Sequence, residues 1–193
     1  MFGRFFRSSR KTQFSYTCAT CGETHSDLPA LGQGLPPSYF DVPEEFREGF
    51  TRTSDDLCRI DSYPGADFEG SHYFVRGTFD IPIVGHVDTV SLGLWFSQSE
   101  ASFETYVATF QSDQTSFGAF AWAQPDSTYF RDFEPGVGLI STPCDLFGNV
   151  AGQRPFGVAH DDADTRIARL QRDGIDQEEV KAIMSAVLHP ENP

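Results

Sequence analysis

Between His72 and Ser97 the chain is dense in aromatic and β-branched residues, first along His72-Tyr73-Phe74-Val75-Arg76-Gly77-Thr78-Phe79, then Ile81-Pro82-Ile83-Val84, then Val90 to Phe96. That pattern predicts strands, and Pro82, which brings no N–H to a ladder, predicts a blemish at the centre of an antiparallel meander. The spacing then changes. Ser97-Gln98-Ser99-Glu100 has the form of a capping box, and Phe103, Tyr106, Val107 and Phe110 follow at helical intervals, which predicts an amphipathic helix packed on the sheet. Residues 117–123 and 137–141 read as two further strands separated by a polar aromatic loop, Asp126 to Asp132, and Pro155 to Ala159 as another. Ile167 and Leu170 mark a helix stopped by Gly174. Asp176 caps a second that carries Val180, Ile183, Met184, Val187 and Leu188.

Nearer the amino end, Phe14 to Thr17 predicts a short strand, and Leu28 to Pro37 a Gly/Pro loop without regular structure. Pro43 followed by Glu44 to Gly49 predicts a helix of one or two turns. Together these elements predict an α+β fold: an antiparallel sheet, one packed amphipathic helix, a C-terminal helical hairpin and a zinc-knuckle-like N-terminus. Residues 1–13 read as a basic arm and residues 14–193 as a single domain.

Composition supports a folded body: 193 residues include 19 Phe and few long polar tracts, so the core leans on phenylalanine. The formal net charge is −14, and the arm, with Arg4, Arg7, Arg10 and Lys11 and no acid, leaves the remainder more acidic still. The remaining cations are scattered, so a nucleic-acid partner is not expected. No apolar run has the length of a membrane span or of a secretory signal, and the expected location is cytoplasmic.

The chemistry concentrates in Cys18-Ala19-Thr20-Cys21-Gly22-Glu23-Thr24-His25. Two thiols separated by two residues at a glycine turn form half of a zinc site, and a reducing compartment favours metal over a disulfide. Cys58, in Asp55-Asp56-Leu57-Cys58, is the expected third ligand; His25, Cys144 or water completes the tetrahedron. Plain packing of reduced cysteines and a thioredoxin-type redox pair are the competing readings, the second weakened because the residues after Cys21 make a poor helix start.

Three other groups attract attention. Gly85-His86-Val87-Asp88-Thr89-Val90 is similar to the His-x-Asp strand-end motif of aminoacylase-like metallopeptidases, but the acidic ligands those enzymes carry after it do not follow here, and the segment reads as a turn. His160-Asp161-Asp162-Ala163-Asp164 precedes a helix, where acids complement the dipole. Arg76, in an apolar strand, is either in a structural ion pair or a contact for an anionic ligand.

Tyr16-x-Cys18-x-x-Cys21-Gly22-x-x-His25, Asp56-Leu57-Cys58-x-Ile60, Phe74-Val75-Arg76-Gly77 with Ile81-Pro82, and Gly93-Leu94-Trp95-Phe96-Ser97-x-Ser99-Glu100-x-x-Phe103 resemble the bacterial family known as domain of unknown function 2199, over roughly residues 14–189. The resemblance brings no activity; its cysteine-histidine start implies a metal. The chain departs from the family where members tend to carry a histidine-proline-leucine stretch before the penultimate helix, here Asp161-Asp162-Ala163-Asp164.

The expected function is that of a zinc-stapled, non-enzymatic module binding a protein or small molecule through its sheet or the loop Asp126 to Asp132. A metal-assisted hydrolase is the alternative, and a toxin-immunity-type protein, whose acidic body neutralises a basic partner, is another.

Overall fold

The computed structural model describes residues 11–112, 116–125, 129–134 and 138–190; the first ten residues of the basic arm, residues 126–128 of the aromatic loop and residue 137 of the expected strand 137–141 lie outside them. The elements run β1 (Tyr16–Thr17), β2 (Thr24–His25), β3 (Leu31–Gly32), α1 (Pro37–Asp41), α2 (Glu44–Phe50), β4 (Thr51–Thr53), β5 (Leu57–Asp61), β6 (Ser71–Pro82) and β7 (Thr89–Gln98). They continue with α3 (Glu100–Thr109), β8 (Gly118–Gln124), β9 (Phe133–Glu134), β10 (Gly138–Leu139), β11 (Thr142–Phe147), β12 (Phe156–Ala159), α4 (Arg166–Asp173) and α5 (Gln177–Leu188). The α+β class agrees with the sequence. The simple antiparallel sheet does not: β6, β7, β8, β11 and β12 close into a five-strand barrel.

Closure follows from an odd number of strands in a meander. Each neighbouring pair from β6 to β12 is antiparallel, so the last strand meets the first in parallel, with Phe156 opposite Thr78. Two glycines permit the approach. A Cβ on Gly157 would stand 2.5 Å from the Phe96 ring, and one on Gly77 would stand 2.7 Å from the Pro155 carbonyl oxygen.

The ribbon β6–β7 is longer than the barrel needs, and its burial records the surplus. From Gly77 to Pro82 buried and more exposed residues alternate, the period of a strand with one face inward. Tyr73, Phe74 and Val75 are buried in succession, because there the ribbon has a core on each face. One face lines the barrel with Val75, Phe79, Ile81, Leu92, Leu94 and Phe96. On the other, Phe74 and Trp95 pack with Val42, Cys58 and Ile60 under α1 and α2, where β5 and β4 extend the sheet. Pro82 therefore ends β6 and leaves no blemish in the middle of it, standing opposite Thr89. Residues 83–88 form the turn expected for the His86-x-Asp88 segment.

The expected helices are present with adjusted ends. The cap of α3 is Ser99, whose hydroxyl accepts from the Ser102 N–H, while Glu100 accepts from the Tyr73 hydroxyl. Tyr106 is buried on its inner face, whereas Val107, placed by spacing in the same stripe, is exposed. The Gly/Pro loop holds more structure than expected, since β3 runs parallel to β7 and α1 starts at Pro37. Gly174, at φ +87°, stops α4, and the Asp176 carboxylate accepts from the Glu178 N–H at the start of α5. In this C-terminal pair α4 lies on β6 and β12, the apolar face of α5 (Val180, Ile183, Met184) enters the barrel-side core, and Arg166 on α4 pairs with Glu179 on α5. Of the loop from Asp126 to Asp132, the described part is structural: Phe130 is buried and the Asp132 carboxylate accepts from the Arg166 N–H.

Candidate metal centre

The knuckle is built by local backbone chemistry. Strands β1 and β2 pair Tyr16 with His25 and Thr17 with Thr24. Between them the Cys18 N–H donates to the Glu23 carbonyl at 2.8 Å and the Gly22 N–H to the Cys18 carbonyl at 2.9 Å. Gly22 makes this turn possible, because its φ of +76° falls in the left-handed region that a side chain disfavours. Both cysteines and His25 are thereby held on one side of a six-residue loop.

The remaining partner comes from the far end of the chain. Helix α5 buries Val180, Ile183 and Met184, and this places the hydroxyl of the next residue, Ser185, 3.1 Å from the Thr20 hydroxyl. One further turn brings His189, whose N–H closes the helix on the Ser185 carbonyl. The sulfurs of Cys18 and Cys21 and one ring nitrogen each of His25 and His189 all lie within 4.8 Å of one another. The Cys21 sulfur and His25 Nε2 are 3.3 Å apart, and the His25 and His189 ring centroids 6.3 Å. Tetrahedral zinc with sulfur and nitrogen ligands needs donor atoms about 3.3–3.8 Å apart, so a small contraction satisfies it.

Electrostatics suit a cation. The backbone N–H of Cys21, with that of Thr20 assisting, pulls the Cys18 thiol down to about 6 despite the burial that opposes ionisation. The shift favours the thiolate, the form that ligates. His189 Nε2 is buried and has no hydrogen-bond partner among the described residues. An orphaned imidazole nitrogen beside a thiolate is the complement of a zinc ion, and the donor set fits.

Cys58 takes no part in this group. It sits on β5 between Thr53 and Phe74, wholly buried against Val42, Ile60 and Trp95, and burial pushes its thiol up to about 12. The expectation of a third ligand there is corrected by strand alternation, since Cys58 and Ile60 are buried on the same side of β5 while Arg59 between them is exposed. Cys144, the rival, donates its S–H to the Ala121 carbonyl inside the barrel and is likewise raised to about 12 by burial. Both thiols are packing groups.

Sequence reasoning missed His189. Its signal was its place one turn after Ser185 at the end of an amphipathic helix, and nothing local ties that helix to the knuckle.

The other sequence-flagged residues are placed apart from the cluster. Arg76 makes no ion pair among the described residues: it donates to the Asp55 carbonyl at 3.5 Å, its Nε is buried and unpartnered, and the nearby pair is Arg154 with Asp56 at 2.7 Å. Burial, with Arg154 beside it, lowers its pKa. In the His86-Val87-Asp88 turn, Asp88 accepts from the Phe14 N–H at 2.5 Å and His86 stands edge-on to the Phe14 ring, so the segment ties down the amino end. His160 faces Asp145 at 3.3 Å, and Asp164 pairs with Arg169.

A Cys/His knuckle joined to the last helix and set on a five-strand barrel defines the architecture. The chain belongs to the family described as an uncharacterized protein conserved in bacteria (DUF2199), whose model matches residues 17–175. Cys18, Cys21 and His25 lie within the matched segment and His189 beyond it. No curated protein and no solved structure matches the chain. Among the described residues, no helix is long and apolar enough to cross a membrane.

Proposed function

We propose that the protein is a non-enzymatic binding module whose amino-terminal knuckle is stapled to its last helix by a structural zinc ion on Cys18, Cys21, His25 and His189. The observation that carries this reading is the convergence of four soft or borderline donors within 4.8 Å. Four protein ligands fill a tetrahedron, whereas catalytic zinc keeps a position for water. A metal-assisted hydrolase would require one of the four to stand aside for water. For a small anionic ligand, Arg76 is the contact we favour, because its Nε has no partner among the described residues.

Elemental analysis of the full chain tests the staple. The expected result is about one zinc per chain, and replacement by cobalt is expected to give the thiolate-to-metal absorption of a tetrahedral site with two sulfurs. A metal-free protein whose melting is indifferent to added zinc would remove the staple from the proposal.

A further inference from the structure

Resting on the reading of a binding module, we infer that the outer face of β8, β11 and β12 is its docking surface, and that the partner is a protein presenting a cationic segment with apolar side chains. Outward positions of these strands carry Phe120 and Trp122, then Phe147, then Phe156 and Val158, each between 39 and 49% exposed. They are neighbours. Phe147 is opposite Phe156, Asp145 is opposite both Phe120 and Val158, and the rings of Phe120 with Trp122 and Phe147 with Phe156 lie 5.4 and 5.6 Å apart. Isolated exposed hydrophobes are ordinary, but a continuous aromatic face on three adjacent strands marks an interaction site.

Charge selects the occupant. Asp145 stands within the apolar face with its side chain 53% exposed, and His160 Nε2 lies 3.3 Å from its carboxylate. The sequence of the three strands contains no lysine or arginine. A carboxylate standing between Phe120 and Val158 on its neighbouring strands, two residues before Phe147 on its own, is a receptor for a guanidinium or ammonium group, which gains both the ion pair and nearby ring faces, while the stem of such a side chain covers the aromatics. Beside the face, between the end of β12 and α4, lies a cleft of about 340 Å³ whose lining is mixed in charge, with Val158 and Ala168 beside His160, Asp161, Gln171 and Arg172. A second copy fits poorly: it would set one Asp145 near another and bring together two chains of net charge −14.

The two tryptophans provide the readout, since Trp122 is exposed and Trp95 wholly buried. The probes are fluorescein-labelled twelve-residue peptides of alternating Arg and Leu, Arg and Ser, and Glu and Leu, titrated with the full chain and followed by anisotropy and by acrylamide quenching. The Arg-Leu peptide is expected to bind at least tenfold more tightly than either control and to shield Trp122. Phe120→Ser and Phe156→Ser are each expected to weaken it at least tenfold with unchanged melting, and Asp145→Asn to weaken it and flatten its salt dependence. Equal binding of the Arg-Ser peptide, or undiminished binding by Phe120→Ser and Phe156→Ser, would overturn the inference. So would a dimer, seen by sedimentation, that Phe156→Ser dissociates, or greater quenching of Trp122 when Arg4, Arg7 and Arg10 are changed to Glu, which would give the face to the chain's own arm. A zinc-free protein that still binds the Arg-Leu peptide would sink the staple and leave the surface standing; a zinc-loaded one that binds none of the peptides would do the reverse.

Discussion

His189, at the carboxyl end of α5, sets its ring 6.3 Å from that of His25 in the amino-terminal knuckle, centroid to centroid. The contact closes the chain into a loop whose ends meet at two thiols. Replacing His189 by Ala removes one donor of the proposed zinc staple without touching the barrel. The expected result is weaker zinc binding and a loss of about 3–4 kcal/mol of stability in saturating zinc, the linkage energy of a ligand at some thousandfold excess over its Kd. Hydrogen exchange locates the effect: β1, β2 and the last turn of α5 lose protection while β6 and β7 keep theirs.

Cys58→Ser separates packing from ligation. The substituted hydroxyl lies in a fully buried apolar cluster with Val42, Ile60, Phe74 and Trp95, where an unpartnered polar group costs about 1–3 kcal/mol. Zinc content is expected to be unchanged and the melting temperature lower. Loss of zinc with unaltered stability of the barrel would return Cys58 to the metal centre.

What the sequence disclosed divides between local and distant chemistry. The knuckle was legible because Cys18, Cys21, Gly22 and His25 act through a single turn, and Gly174 and Asp176 were legible because helix stops and caps are local too. Cys58 misled because counting ligands took precedence over the alternation of Leu57 to Asp61, which the structure shows as strand β5. The barrel was hidden in a relationship that no local pattern encodes, the parallel meeting of β12 with β6. Pro143 obscured β11, and the prolines around Pro37 obscured α1. His189 reaches the knuckle only because the buried face of α5 fixes the direction of its last turn.

Alkaline pH acts on the two buried thiols. Cys58 and Cys144 ordinarily titrate at 9.0 and are raised to about 12 by burial, so the folded chain holds these protons longer than the unfolded one. Their contribution is whole below about pH 9 and is lost as pH climbs from 9 toward 12, where the unfolded state sheds protons first. Burial raises the Tyr106 phenol in the same direction. Urea unfolding at pH 8 and pH 10.5 is expected to show a fall in stability that the Cys58→Ala, Cys144→Ala double variant largely lacks. In native protein at pH 8 after chelation, an aromatic disulfide reagent is expected to modify the exposed Cys21 promptly and the two core thiols only on unfolding.

Gly157→Ala tests the barrel's closure. The added methyl carbon would stand 2.5 and 2.8 Å from ring carbons of Phe96 and 3.3 Å from Phe79, all fully buried, so neither ring can swing into solvent to make room. Relief requires β12 to withdraw from β6, and the parallel contact of Phe156 with Thr78 is what closes the barrel. Overpacking of this kind costs about 1–3 kcal/mol. The variant is expected to melt at lower temperature, with faster exchange at the Thr78 N–H, which donates to the Pro155 carbonyl at 2.8 Å. Phe96→Leu, which clears space for the methyl, is expected to recover part of the loss when combined with Gly157→Ala although it is destabilising alone. Additive losses in the double variant would show that the methyl is accommodated elsewhere and that Phe96 does not set the approach of β12.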